Sequence, residues 1–264
     1  MSSHRDGWIL PESSPEKLGS VALCLRDLPD AQAYLFDIDG TLLNSRDGVH
    51  YNAFRHALAE VYGIETKLDN IPVHGNTDVG IIRAILQHAG RAGEFESGLP
   101  RVLSLMRSEV EKNIAGINAE LCPSIRELVV ELHSQGKILG VASGNLESIG
   151  WAKITTAGLR PFFSLGSFCG ERERRADIFR HGIEQALALL DKKSNPSLGE
   201  DAAPEATVCI VGDTPADILA AHANNVPIVA VATGIYSYDD LLSHKPDLCL
   251  HCCTDLFAGS SQIA

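Results

Sequence analysis

The stretch LFDIDGTLL, Leu35 to Leu43, sets two carboxylates, Asp37 and Asp39, one residue apart where a hydrophobic run ends, with Gly40 and Thr41 directly behind them. The run before them, Ala33 to Phe36, is apolar at every position, as in a strand buried on both faces of a parallel sheet. A carboxylate at the end of such a strand is held rigidly and faces the crevice where open α/β sheets place their ligands. Its neighbour two positions on can take a separate role, one acid attacking while the other moves a proton. Taken alone, the pair is equally open to a plain turn, because Asp and Gly are common turn formers.

Further along the chain the same design recurs. VGDTPAD, Val211 to Asp217, ends a second apolar run with Asp213 and Asp217 four residues apart around a turn. Hard oxygen ligands of this kind suit Mg²⁺, which accepts one or two carboxylates and completes its octahedron with water and substrate phosphate. A third strand end, VASGN at Val141 to Asn145, supplies a hydroxyl, a glycine and an amide. Ser143 and the N–H groups around Gly144 and Asn145 can hold phosphate oxygens at a helix start, or Ser143 or Asn145 can simply cap that helix.

These two runs begin at Thr207 and Lys137, a further apolar run begins at Pro227, and helical patterns cover Ser124 to Ser134, Leu146 to Ala157, Ala176 to Leu190 and Ala216 to Ala223. Strand and helix alternate, which predicts an α/β fold with a parallel sheet covered by helices on both faces. The interval 45–121 breaks the rhythm. It carries helical periods from Tyr51, Val79 and Val102 and no convincing buried strand, so it reads as a helical insertion. Leaving the sheet at the carboxyl end of the first strand, it is placed to act as a lid. Residues 1–30 read as a loosely held arm, residues 31–44 and 122–264 as the core, and Lys192 to Pro204 as a surface loop.

Composition narrows the function class. The 264 residues are 45% hydrophobic and 21% charged, enough apolar material for a folded core. With 22 Lys and Arg against 34 Asp and Glu, the net charge of −12 disfavours nucleic acid and anionic membrane surfaces as partners. No apolar run approaches the roughly 20 residues that span a bilayer, and residues 1–30 lack the pattern of a secretion signal. Seven scattered cysteines, an odd number, fit reduced thiols, and a cytoplasmic location is expected. CLHCC, Cys249 to Cys253, lacks the second cysteine pair of a zinc site and reads as a short strand with incidental thiols.

LFDIDGTL, VASGN and VGDTPAD, in this order, resemble the motifs of the haloacid dehalogenase-like hydrolases, with the sheet pattern extending the likeness from Ala31 to about Leu250. The insertion resembles the helical cap of phosphoglycolate phosphatase-like and phosphoglucomutase-like members. The resemblance implies a Rossmann-like core with an all-helical cap. It implies that Asp37 is the nucleophile forming an aspartyl-phosphate and that Asp39 is the general acid and base. Mg²⁺ would then lie between the Asp37 side chain, the Asp39 carbonyl and Asp213, with Asp217 supporting it. It further implies a cation bridging nucleophile and phosphoryl group. The run from Glu171 to Arg180 offers Arg172, Arg174, Arg175 and Arg180, with no Lys until Lys192, and Arg175 is the choice because RADIF opens the helix.

Expected substrate contacts are Gly40, Thr41, Gly144 and Asn145, together with Asn76 and Thr77 of the cap, although Thr77 is also a natural helix N-cap. Asn44, Arg46 and His50 are further candidates near the hinge. The expected reaction is Mg²⁺-dependent hydrolysis of a small phosphorylated metabolite. A phosphosugar mutase and a catalytically idle sensor are the alternatives, with Asp39 arguing against dehalogenase and phosphonate-cleaving chemistry.

Overall fold

The computed structural model describes residues 28–45, 47–65, 71, 73–170, 172–193 and 207–257. The expectations for the N-terminal arm, for Arg46 and for most of the loop up to Pro204 fall outside these residues. Six strands form one parallel sheet: β1 (Ala33–Phe36), β4 (Ile138–Ser143), β5 (Leu165–Phe168), β6 (Val208–Gly212), β7 (Ile228–Val231) and β8 (Leu248–Leu250). Their spatial order is β5-β4-β1-β6-β7-β8, and every neighbouring pair is parallel. The chain runs outward from β1 through β4 to β5, then returns to the other side of β1 for β6, β7 and β8. The order therefore reverses at β1, where parallel sheets open a crevice at their carboxyl ends.

Side chains alternate across β1. Ala33 and Leu35 enter one core cluster with Ile178 and Phe179 of α6 (Arg175–Lys193) and Ile218 of α7 (Pro215–Ala223). Tyr34 and Phe36 enter the other with Ile125, Leu128 and Leu132 of α4 (Ile125–Ser134). Both faces of the strand are thus sealed, as its unbroken apolar sequence requires. This is the Rossmann-like arrangement of the sequence reading.

The helical insertion leaves and re-enters the core through β2 (Leu43–Ser45) and β3 (Ala119–Leu121), which pair antiparallel. Between them lie α1 (Val49–Tyr62), α2 (Asp78–His88) and α3 (Phe95–Lys112). Buried residues fall at helical spacing: Phe54, Ala57 and Leu58 on α1, Ile82, Ile85 and Leu86 on α2, and Val102, Met106 and Val110 on α3. Fully burying each such large aliphatic side chain is worth roughly 1.5–3 kcal/mol. The next core helix, α5 (Glu147–Thr156), follows β4, and α8 (Tyr238–Ser243) precedes β8. CLHCC begins in β8, and Cys249, Cys252 and Cys253 are free thiols. No helix among the described residues is long and apolar enough to cross a membrane.

Candidate active site

β1 lies between β4 and β6, so the three strand ends singled out in the sequence are neighbours in space. Asp37 continues the ladder, its N–H donating to the Val211 carbonyl at 2.9 Å. Ile38 is fully buried in the core, which leaves Asp37 and Asp39 on the cavity side of the strand end. The chain then turns back, with the N–H of Gly40 donating to Leu43 O at 2.8 Å. Gly40 is needed there. Its φ is +91°, and a Cβ would fall 2.2 Å from Asp213 Oδ2. The Gly40 carbonyl in turn accepts the Thr233 hydroxyl at 2.5 Å.

Asp37, Asp213 and Asp217 are buried, and each offers an oxygen within 4.8 Å of the others. Burial is the main cause that pushes Asp37 up to about 7, and Asp217 and Asp39 add to it against the opposing pull of Arg175. Burial, with the charges of Asp37 and Asp217, likewise raises Asp213 well above the usual carboxylate range. Three acids this close repel one another unless positive charge joins them.

Arg175, at the start of α6, supplies part of that charge. Its Nε donates to Asp217 Oδ1 at 2.5 Å, and its Nη2 lies 2.8 Å from Asp37 Oδ1. Burial opposes the guanidinium charge, but Asp217 and Asp37 outweigh it. The contact with Asp37 is close yet misaligned for a hydrogen bond, so Asp37 Oδ1 and Arg175 Nη2 are both buried without an aimed partner. Asp217 Oδ2 accepts the Thr214 N–H at 3.0 Å and the Thr214 hydroxyl at 2.7 Å, closing the capping box of α7. Asp213 Oδ1 accepts the Thr41 hydroxyl at 2.9 Å.

A cavity of about 620 Å³ opens between the carboxyl ends of these strands and the insertion, and Asp37, Asp39, Ser143, Arg175 and Asp213 all line it. Of the expected substrate contacts, Gly40, Asn76, Gly144 and Asn145 line it too, as do Asn44 and His50. Two are placed differently. Thr41 is buried beneath Asp213, and Thr77 caps α2, accepting the Gly80 N–H at 2.9 Å while its hydroxyl donates to the Glu173 carbonyl at 2.8 Å. Thr77 borders a smaller adjoining cleft, as does Arg174. Arg180 pairs with Asp177 on the surface.

One charged residue of the site escaped the sequence reading, which looked for a lysine only after Glu171. Lys153 of α5 is buried, and its Nζ lies 2.8 and 2.7 Å from the two carboxylate oxygens of Asp39. Burial works against the charge of Asp39. Lys153 and the Asn145 amide nonetheless hold its carboxyl below the usual range. The signal was present in the sequence: Leu146, Ile149, Gly150 and Lys153 share one buried side of the helix, and a lysine on an apolar stripe calls for a buried partner.

The haloacid dehalogenase-like hydrolase family model matches residues 34–231. A phosphoglycolate phosphatase from Synechococcus elongatus is 25% identical over 234 residues, which cover 88% of this chain and 98% of that protein. A probable phosphatase, IndB, from Dickeya dadantii is 26% identical over 221 residues, covering 81% and 86% of the two chains. The structure of CbbY from Rhodobacter sphaeroides in complex with phosphate superposes with a TM-score of 0.61 at 19% identity, covering 86% of this chain and 96% of that one, a likeness of fold. With its motifs at three adjacent strand ends and the family match spanning most of its length, the chain belongs to the haloacid dehalogenase-like hydrolases.

Proposed function

We propose that the chain is a Mg²⁺-dependent phosphatase that hydrolyses a small organic phosphate monoester through an aspartyl-phosphate on Asp37. The observation that carries this reading is the buried ion pair at the cavity floor, Asp37 Oδ1 and Arg175 Nη2, 2.8 Å apart with neither atom in an aligned hydrogen bond. A nucleophile and a cation left without aimed partners suit an incoming phosphoryl group, whose oxygens satisfy the guanidinium while its phosphorus meets the carboxylate.

The acid cluster supports the metal. Its donors are hard oxygens, the raised carboxyls of Asp37 and Asp213 call for positive charge, and Gly40 leaves open the space beside Asp213 that a Cβ would fill. Asp37 and Asp213 would hold Mg²⁺ together with the Asp39 carbonyl, and Asp217 would act through Arg175 and Thr214. When bound, the ion neutralises charge on the phosphoryl oxygens and lowers repulsion between two anions.

In the first step an Asp37 oxygen bonds to phosphorus and the ester P–O bond breaks, while Asp39, which takes up a proton from solvent when the phosphate anion binds beside it, gives that proton to the leaving oxygen. In the second, water bonds to phosphorus, the Asp37–phosphorus bond breaks, and Asp39 takes the water's proton. Ser143, with the backbone N–H groups of Gly144 and Asn145, orients the phosphoryl oxygens, and Asn76 faces the substrate from the insertion. Phosphoglycolate and sugar phosphates are the substrate class to try first, given the phosphatases among the relatives. The test is phosphate release with Mg²⁺ from a panel of such compounds. Turnover that stops reversibly on chelation is expected, and full activity in excess chelator would remove the metal from the account.

A further inference from the structure

Lys153 is the charged side chain among the buried residues of α5, where Ile149, Ala152 and Ile154 are apolar. Packing alone does not explain it, since burying an ammonium is costly without partners. Its Nζ reaches both oxygens of Asp39, and also lies 3.3 Å from Asn145 Oδ1 and 3.3 Å from His50 Nδ1. An ammonium only donates, so His50 accepts at Nδ1 and carries its proton on Nε2. That nitrogen is 3.2 Å from the Asp78 carboxylate, which also accepts the Leu146 N–H at 2.8 Å. Lys153 therefore joins Asp39 to the first turns of α1 and α2. Without it, the Asn145 amide at 2.7 Å and the Ser45 hydroxyl at 3.4 Å are the donors left to a carboxylate whose side chain is 42% exposed.

We propose that Lys153 is a positioning residue for phosphoryl transfer, fixing the Asp39 carboxylate where it exchanges protons with the leaving oxygen and with the attacking water. The inference rests on Asp39 being the acid and base of the function proposed above. Proton transfer needs a donor and acceptor held in one geometry, and a carboxylate free to rotate loses that advantage. The charge left on Asp39 between the two steps lies against the ammonium, in the same contact that holds the group in place.

The two steps can be separated by the leaving group. p-Nitrophenolate departs without a proton, so with p-nitrophenyl phosphate only the second step needs Asp39, whereas an alkyl phosphate needs it in both. Lys153→Met keeps the length and apolar stem of the side chain. With p-nitrophenyl phosphate it is expected to give a burst of about one equivalent of p-nitrophenolate, then a steady rate about 100-fold below wild type, the scale of a lost proton transfer. KM should fall together with kcat because phosphoenzyme accumulates. Glycerol phosphate should show the loss without a burst, and Lys153→Arg should recover part of the rate.

In an Asp39→Asn background the same change should cost less than about 3-fold, because a residue acting through another has nothing left to act on. Equal losses in both backgrounds, or a raised KM with no burst, would overturn the proposal and make Lys153 a substrate contact or a support of the fold. If the wild-type chain releases no product from either ester, the phosphatase reading falls as well. Wild-type turnover with an additive cycle removes the lysine's role alone.

Discussion

Arg175 serves two buried carboxylates from one position, with Nε on Asp217 and Nη2 beside Asp37. Removing one partner of a buried pair typically costs about 3–5 kcal/mol, because the remaining charge is stranded. Arg175→Ala should therefore lower both melting temperature and turnover, whereas Arg175→Lys should keep more of the stability and still lose rate, since an ammonium cannot reproduce the guanidinium fork. Wild-type kinetics in the alanine variant would pass the cationic role to another residue. The acids make a second prediction. Asp37 is pushed up to about 7, so in metal-free protein the folded state keeps a proton that the unfolded chain sheds above roughly pH 4. The folded state binds more protons across that window, and the contribution of Asp37 to stability declines as pH rises from about 4 to about 7. Asp213 acts in the same direction. Asp39, whose carboxyl is lowered, has the opposite sign, and its contribution is lost only as pH falls below the usual carboxylate range. Melting curves across this range should show the decline without metal and a shallower one with Mg²⁺. Asp37, Asp39 and Asp213 were legible in the sequence because each stands just past an apolar run. Lys153 was not, because its significance lies in which side of α5 is buried, a property of packing rather than of motif spacing.

Among the elements, α2 decides how the insertion meets the core. Its first residue, Asp78, donates its N–H to the Gly144 carbonyl at 2.8 Å, and its cap Thr77 donates to the Glu173 carbonyl. Gly144 allows this approach, since a Cβ there would lie 2.4 Å from the Asn76 carbonyl oxygen. Gly144→Ala should push the start of α2 away from the β4 loop, raising KM as well as lowering the melting temperature. A change in stability alone would mean that the contact is only structural. Thr77→Ala removes an N-cap, a loss of about 1 kcal/mol that denaturant melts can resolve. The three helices of the insertion were legible from their apolar periods. The β2–β3 ribbon was not: three residues on each side, only Leu43 of them buried, carry no period, and their pairing joins positions far apart in sequence. For Thr77 the sequence left substrate contact and capping open, and the hydrogen bonds show the hydroxyl already engaged at both its donor and acceptor sides.

For the whole molecule, the arrangement is a parallel sheet whose reversal point gathers three strand ends next to the helical insertion. The sheet could be read from alternating apolar runs, but its strand order could not, because the motifs suggest only that some strand ends share one crevice and leave β5, β7 and β8 unplaced. In the function proposed above, what the substrate carries beyond its phosphate would meet Tyr51, Phe54, Val73 and Ile81 of the insertion and Ile235 of the core, which line the same cavity. No short motif records that surface, which exists only after α1 and α2 have packed. A chain of net charge −12 repels anions at long range, and at the cavity floor Arg175 and Lys153 are local cations that oppose it, to which Mg²⁺ would add in the function proposed above. In the function proposed above, this floor transfers a phosphoryl group to Asp37. Its most direct test is phosphate release from the metabolite panel with Mg²⁺, measured for the wild type and for Asp37→Asn under the same conditions. The account predicts release by the wild type and none above background from a folded variant. Substantial release by Asp37→Asn would contradict it.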